Sequence, residues 1–300
     1  MVGHGASPSA PQFPINHLEV KGSALAQARN LIKAWLLLAG LCAVLGLCGY
    51  GLGGLWLASI FVFSGLLIGA GFYWYADRTA IAMVGARELP QAEAPGLHST
   101  VERLALTARI IKPRLYLIEH GPPLALSAGR GPGSSSIAVT TALLRLAAPA
   151  EVEGVLAHEV AHVRNRDVLV QTTAVLTAAA VVEASRVGGF LQRSLLFVLG
   201  PVAAACVHLL LSPRRELEAD RLAAGLCSSP HGLADALVRL EQAVELVEFR
   251  ASPATEPLYT LNPFLEEGLA GLFVTHPPVG ERVRRLRDLD PGWRDKLRAA

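Results

Sequence analysis

The chain has 300 residues, 52% of them hydrophobic, a mean hydropathy of +0.40 and a formal net charge of +2. This hydropathy is high for a soluble globular protein, whereas the charged residues lie mainly outside the apolar runs, so the composition predicts a membrane protein with a soluble domain. The four cysteines have no CxxC spacing, which excludes a disulfide scaffold and a zinc ribbon.

The N-terminal part of the chain predicts a tail followed by a membrane hairpin. Residues 1–20 are rich in Pro, Gly, Ser and Ala and predict a disordered tail. Within residues 21–85, no charged residue occurs from Ala34 to Ala76, about twice the roughly 20 apolar residues that one spanning helix needs. The glycines from Gly49 to Gly54 predict the turn of this transmembrane hairpin. Because basic residues flank the hairpin and none lies in its turn, the positive-inside rule predicts cytoplasmic flanks.

Residues 86–167 predict the first part of a soluble domain. The pattern favours a helix near Leu97 to Arg109 and strands over Arg114 to Glu119 and Ser135 to Thr141, with the glycines from Gly129 to Gly133 in a loop between the strands. A strand of this kind can hold an extended peptide by edge pairing.

Residues 158–162 have the pattern HExxH, which is the strongest functional signal in the chain. Pro149 suits the first position of a helix, and in that helix His158 and His162 share one face, so both imidazoles can bind one metal ion. Glu159 lies about 100° around the helix from His158, so it can take a proton from a water on the metal instead of binding the metal. The pattern predicts hydrolytic chemistry and requires a third ligand.

Residues 168–211 predict a second apolar helical hairpin. Its two apolar runs are Val168 to Val182 and roughly Ser194 to Leu211. The hairpin either spans the bilayer or packs as a buried or re-entrant pair, because runs this short can also be core helices. In both cases the chain returns to the side it left, which brings the following residues back towards the histidines.

Residues 212–300 predict the second part of the soluble domain, beginning with the segment SPRRELEAD. Ser212 and Pro213 predict a helix start, which places Glu216 and Asp220 on one face. One carboxylate can then bind metal while the other orients a ligand histidine. The alternative is a charged, solvated first turn, and the HExxH pattern favours the ligand interpretation.

The remainder predicts a helix to about Phe249, an irregular stretch over Ser252 to Pro263 and an Arg-rich helix from Gly280 to Asp288. His276 precedes two prolines, a setting in which a histidine is more often a loop residue with a satisfied hydrogen bond than a catalytic one. The arginines favour a solvated or membrane-facing surface. No interleaved aromatic residues or binding-fold signature accompany them, so no nucleic-acid partner is predicted.

Three motifs occur in the order EVEGVLAHEVAHVRNRD, SPRRELEAD and THPPVGER, with the second apolar hairpin between the first two. Over roughly residues 20–290 the chain therefore resembles the HtpX-type membrane zinc metalloproteases, which are gluzincins related to the CAAX prenyl proteases. The resemblance implies one Zn2+ ion per chain, bound by His158, His162 and Glu216. It also implies that Glu159 is the general base.

The resemblance further implies that Asp220 orients a metal ligand from outside the coordination sphere. By the same analogy His276 and Arg282 lie near the cleft, where they steady the substrate or the oxyanion. One position departs from the family: Leu124 stands where an Asn is common. This difference concerns the substrate contacts of the edge strand and does not concern the metal.

The sequence therefore predicts a mainly α fold with a small β-sheet. The protein is expected to be a polytopic membrane protein whose two helical hairpins carry a zincin-like cytosolic metalloprotease domain. The resemblance implies a zinc-dependent endopeptidase of a bacterial inner membrane, with its termini and active site in the cytoplasm. Its partners are the lipid bilayer and protein or peptide substrates, expected to be misfolded membrane proteins in quality control, with CAAX-type processing as the alternative role.

Two other interpretations stay open at the level of sequence. A zinc-binding membrane protein with a non-catalytic, chaperone-like or scaffold role would keep the histidines, but it has no need of Glu159. A polytopic protein without metal would use the histidines only for packing.

Overall fold

The computed structural model describes residues 17–173, 213–227, 229–244 and 277–290. Its helices are α1 (His17–Met83), α2 (Pro95–Ala108), α3 (Thr141–Leu146), α4 (Pro149–Asn165), α5 (Pro213–Leu226), α6 (Pro230–Val244) and α7 (Val279–Asp288). Its strands are β1 (Arg87–Glu88), β2 (Arg114–Ile118), β3 (Ala125–Gly131) and β4 (Ser134–Thr140). The chain is thus mainly helical with a small sheet, as predicted. Most of the predicted second hairpin lies outside the described residues, as do residues 1–16 of the predicted tail.

Helix α1 begins at His17, inside the predicted tail, and is interrupted at Gly53 and Gly54. Gly54 has φ 67°, a left-handed conformation that glycine adopts without steric cost. The two halves of α1 lie against each other. A Cβ atom added to Gly65 would lie 2.7 Å from Leu45 Cδ1, and one added to Gly49 would lie 2.7 Å from the Leu57 carbonyl oxygen. The glycine turn therefore brings residues on either side of it together.

Within the described ranges, one helical segment is long and apolar enough to cross a membrane. It is Gly49–Tyr75, with 27 residues and a mean hydropathy of 2.0, and only 6% of it is buried. A core helix of a soluble protein with this composition would be mostly buried. Large apolar side chains instead stand exposed along both halves of α1, among them Trp35, Leu36, Leu47, Leu55, Trp56 and Phe63.

The strands form one mixed sheet in the order β1-β2-β4-β3, with β2 and β4 parallel and the other pairs antiparallel. The predicted bounds of β2 and β4 agree with the structure to within one residue. The loop predicted at Gly129 to Gly133 was wrong for residues 129–131, which belong to the edge strand β3, whereas residues 132–133 form the turn to β4. The register shifts between Gly129 and Gly131. A Cβ atom on Gly129 would lie 2.5 Å from the Ser134 carbonyl oxygen, so this glycine marks a bulge and a close backbone approach instead of a turn.

Helix α4 packs between the sheet, where it contacts β3, and helices α2, α5 and α6. The contact with α6 is close because two glycines face the partner backbone. A Cβ atom on Gly154 would lie 2.5 Å from the Leu233 nitrogen, and one on Gly232 would lie 2.3 Å from the Ala150 carbonyl oxygen. Around this contact the core is aliphatic and fully buried; it includes Leu104, Leu143, Leu156, Leu233, Leu237 and Leu240.

Within the described residues, the helix predicted to continue from Asp220 to about Phe249 is divided into two helices. Helix α5 ends at Leu226 and α6 begins at Pro230. Proline has no backbone N–H, so it is accommodated best at the start of a new helix. The break lets α6 cross α4 separately from α5, and α5 remains beside the HExxH pattern.

Candidate metal centre

Helix α4 begins where its sequence predicts. Pro149 occupies the first turn, and the Glu151 carboxylate accepts a hydrogen bond from the Ala148 N–H at 2.8 Å. Arg239 of α6 donates to the same carboxylate, which fixes the start of the helix against its neighbour. The helix ends at Asn165, and the C-cap residue Arg166 has φ 60°. Both histidines of the HExxH pattern lie within this helix and are buried.

The three predicted ligands converge at the contact between α4 and α5. His158 Nε2 and His162 Nε2 are 3.0 Å apart. Each of these nitrogens lies 3.5 Å from an oxygen of Glu216, His158 from Oε2 and His162 from Oε1. All three side chains are buried. Two imidazoles and one carboxylate therefore face a common point inside the protein.

Each imidazole has a carboxylate on its other nitrogen. His158 Nδ1 lies 2.9 Å from Asp220 Oδ1, and His162 Nδ1 lies 3.1 Å from Asp167 Oδ2. An ionised carboxylate can only accept a hydrogen bond, so each of the two favours a proton on the Nδ1 that it faces. With a metal ion bound, a ring protonated at Nδ1 would offer the lone pair of its Nε2 to the common point, which is the tautomer that metal ligation requires.

The donor set fits a tetrahedral metal ion such as zinc. Ligand atoms about 2.0 to 2.1 Å from a tetrahedral centre are separated from one another by roughly 3.4 Å. The observed separations of 3.0 and 3.5 Å bracket that value. Two nitrogens and one carboxylate oxygen, all buried, also match the composition of zinc sites that leave a fourth position for water.

The electrostatic field at this point favours a cation. Burial disfavours a charged imidazole at His162, yet the negative charges of Glu216 and Asp167 outweigh burial and raise its pKa to about 10. The carboxylates would hold a divalent cation by the same attraction, and the ion would displace the proton from Nε2. The field that raises this pKa therefore also supports metal binding.

Arg282 of α7 contacts Asp220 at the site and is fully buried. Its Nε and Nη2 atoms donate to the two oxygens of Asp220 at 2.8 and 2.7 Å. Burial opposes ionisation of Asp220, but Arg282 outweighs it and lowers the carboxyl pKa to about 2. Asp220 thus stays ionised beside His158. The Arg282 Nη2 atom also lies 3.4 Å from His158 Nε2.

Glu159 is buried next to His158 in α4 and is close enough to Arg282 to influence it. Burial opposes the charge of Arg282, whereas Asp220 and, to a smaller extent, Glu216 and Glu159 raise the pKa of its guanidinium. Glu159 is not one of the residues whose ligand atoms converge. It therefore stands beside the proposed ligands without being one.

Two residues of the site were missed in the sequence. Asp167 follows the left-handed Arg166 and turns back towards His162. Its second oxygen, Oδ1, accepts a hydrogen bond of 2.7 Å from Asn30 Nδ2 in α1. Asn30 also donates to the Asn165 carbonyl oxygen at 3.1 Å and is fully buried. A chain of contacts thus links the N-terminal helix to a predicted metal ligand. The only local signal was an Asp five residues after His162.

The structure describes two of the three other residues that the sequence analysis singled out, Arg282 and Leu124. His276 lies outside the described residues, so its role near the cleft stays a prediction. Arg282 lies at the site, where its guanidinium binds Asp220. Leu124 is buried in an apolar cluster with Ala80 and Ile81 of α1. Its side chain therefore joins the sheet to the N-terminal helix at the position where an Asn is common in the resembled family.

A model of peptidase family M48 matches residues 91–290, a range that contains His158, His162 and Glu216. The protease HtpX homolog of Pelotomaculum thermopropionicum is 40% identical over 275 residues, which cover 86% of this chain and 98% of that protein. The protease HtpX homolog of Pyrococcus abyssi is 38% identical over 279 residues, which cover 86% and 95%.

Among solved structures, the crystal structure of S. mikatae Ste24p aligns with a TM-score of 0.47 and 19% sequence identity, covering 90% of this chain and 69% of that one. The family match and the HtpX relatives each extend over most of the chain. This protein therefore belongs to peptidase family M48 and is similar to its HtpX-type proteases over most of its length.

Proposed function

We propose that this membrane metalloprotease is a zinc-dependent endopeptidase that hydrolyses peptide bonds with Glu159 as general base. The observation that carries the proposal is the convergence of His158 Nε2, His162 Nε2 and Glu216, at separations of 3.0 and 3.5 Å, inside a buried and negatively charged site. One zinc ion per chain would be held by these three side chains.

When bound, zinc polarises the peptide carbonyl and lowers the pKa of its water towards about 7. Glu159 accepts the proton that the water loses as it attacks the carbonyl carbon. The same carboxyl group then returns the proton to the leaving amine. A role without catalysis would need the two histidines but would give no function to a buried carboxylate at this position.

Asp220 and Asp167 orient the two imidazoles through their Nδ1 atoms, and Arg282 keeps Asp220 ionised. A carboxylate in this position fixes the tautomer and the direction of a ligand ring and strengthens its basicity. We assign these residues to positioning the ligands. The original expectation that Arg282 steadies the substrate or oxyanion stays a prediction, and so does that for His276.

We further propose that α1 is a transmembrane hairpin whose flanks and soluble domain face the cytoplasm of a bacterial inner membrane. Support comes from the apolar side chains on its surface, since Leu55 and Trp56 are 78% and 76% exposed. A site held directly beside such a hairpin favours substrates that emerge from the membrane. Misfolded membrane proteins are therefore the proposed substrate class, and edge strand β3 is the proposed element for pairing with an extended segment.

Metal removal tests the proposed chemistry. We expect the full chain, purified in detergent, to contain one zinc ion and to cleave an unfolded membrane protein. Treatment with 1,10-phenanthroline should abolish cleavage because no water is activated without the ion, and stoichiometric zinc should restore it. Zinc is measured by mass spectrometry, and cleavage is followed by the appearance of new peptide termini. Undiminished cleavage by protein shown to contain no metal would contradict the proposal.

Asn30 provides a test of the link between α1 and the metal ligands. We expect Asn30→Ala to weaken zinc binding by at most about tenfold, since losing a direct partner of a ligand costs about 10- to 100-fold and Asn30 acts one contact further away. Zinc affinity is measured by competition with a chelator of known affinity.

The matched control for this variant is Leu31→Ala, at an exposed position on the same helix. It should leave the affinity unchanged. If a folded Asn30→Ala protein binds zinc as tightly as the control, Asn30 does not position His162.

A further inference from the structure

A cavity of about 300 Å³ lies where the end of α1 meets the sheet, outside the metal centre. Its lining combines aromatic, cationic and hydroxyl side chains: Trp74, Tyr75, Asp77, Arg78, Arg114, Arg130 and Ser134. Three arginines share this space with one acid. We propose that this cavity binds the phosphate group of an anionic phospholipid, an inference that rests on the proposed insertion of α1 into a membrane.

The side chains that line the cavity carry a net positive charge. Arg114 pairs with the buried carboxylate of Asp77, which accounts for the single acid in the lining. Among the described residues, Arg78 has neither an ion pair nor a hydrogen bond, and Arg130 has no carboxylate partner. Two guanidinium charges therefore remain for an anion, and guanidinium groups bind phosphate oxygens in pairs of parallel hydrogen bonds.

Arg130 is held in place without being neutralised. Its guanidinium carbon lies 4.8 Å from the centre of the Trp74 ring and 5.3 Å from that of Tyr73, and its Nη2 donates to Ser134 Oγ at 3.2 Å. Its Nε–H is buried and has no hydrogen-bond partner among the described residues. A buried donor on a fixed, charged side chain is costly unless a ligand satisfies it.

The position of the cavity favours a lipid over a free anion. Trp74 and Tyr75 close the apolar segment Gly49–Tyr75, and aromatic residues at the end of a span sit at the depth of the lipid headgroups. Arg78 lies three residues after Tyr75 in the chain. A phospholipid can therefore place its phosphate in the cavity while its acyl chains lie along the exposed apolar face of α1. A soluble phosphate gains only the first of these contacts.

The test measures lipid binding to the full chain by native mass spectrometry from detergent. Wild-type protein is titrated with phosphatidylglycerol, with phosphatidylcholine or with inorganic phosphate. We expect one phosphatidylglycerol per chain to be retained in preference to phosphatidylcholine. Arg78→Gln and Arg130→Gln should each weaken its binding by about fivefold, because one arginine near an anionic headgroup contributes about that factor. Arg78→Lys should keep most of the affinity.

Arg284→Gln, which removes an exposed arginine of α7 that does not line the cavity, is the matched control and should bind as wild type. Equal binding of the two lipids, unchanged binding by Arg78→Gln, or displacement of the lipid by inorganic phosphate would each overturn the inference. If the Arg130→Gln protein fails to fold, the lipid affinity of Arg78→Gln alone tests the inference, because the Arg78 side chain is exposed and its replacement should leave the fold intact.

The assay measures neither zinc content nor peptide-bond cleavage, so a negative lipid-binding result does not contradict the proposed hydrolytic function. Failure of the membrane placement itself would show differently, as protein that is extracted from membranes without detergent.

Discussion

Replacing Glu159 by Gln should leave zinc bound and reduce peptide-bond cleavage by roughly a hundredfold to ten-thousandfold, the range that general acid-base catalysis contributes. Gln keeps the size and shape of the side chain, and residue 159 is not among the converging ligands, so the metal site should stay intact. The amide cannot accept the proton that the attacking water must lose. The effect should therefore fall on kcat, with zinc content near one per chain.

The measurement compares kcat and zinc content for wild type and Glu159→Gln on the same unfolded substrate. Glu153→Gln is the matched control, since this carboxylate lies on the same helix but pairs with Arg103 outside the site. The control should cleave at the wild-type rate. Comparable cleavage by wild type and the Glu159→Gln variant, both loaded with zinc, would end the assignment of Glu159 as the general base.

Replacing Glu216 by Gln should cost both zinc and activity. A neutral amide is a poor zinc ligand, and the substitution also removes one of the negative charges that attract a cation to the histidines. We expect zinc affinity to fall by more than the 10- to 100-fold loss that follows removal of an outer partner, because a direct ligand is lost. Cleavage should fall with zinc occupancy.

Glu218→Gln is the matched control on α5, because Glu218 is exposed on the helix that carries Glu216. Zinc content and cleavage should both match wild type. Both variants lose one negative charge from the same helix. A difference in zinc content or cleavage between them therefore reports the position of Glu216 in the site. A Glu216→Gln protein that is folded, fully loaded and active would show that the carboxylate is not a ligand.

The centre of the site could be predicted because its information is local. Two histidines four residues apart must share a helix face, and the intervening glutamate cannot point the same way. Glu216 followed from the need for a third ligand and from the chemistry of its segment. Asp220 contacts His158 and Arg282, and its role in orienting a metal ligand stays a prediction.

The surroundings of the site could not be predicted because they depend on distant pairings. Asn30 reaches Asp167 across 137 positions of the chain, and no periodicity in either segment encodes that contact. Strand β3 was misassigned since its glycines, which usually mark turns, here allow a bulge and a close approach of two strands. The break before Pro230 was missed because apolar spacing continues on both sides of it.

The most direct test of the central claim is the position of zinc, located by anomalous diffraction at the zinc edge in crystals of the Glu159→Gln protein. We expect one peak per chain, about 2.0 to 2.2 Å from His158 Nε2, His162 Nε2 and an oxygen of Glu216. A zinc peak elsewhere in the protein, or a zinc ion bound by the two histidines but not by Glu216, would contradict the proposed set of ligands.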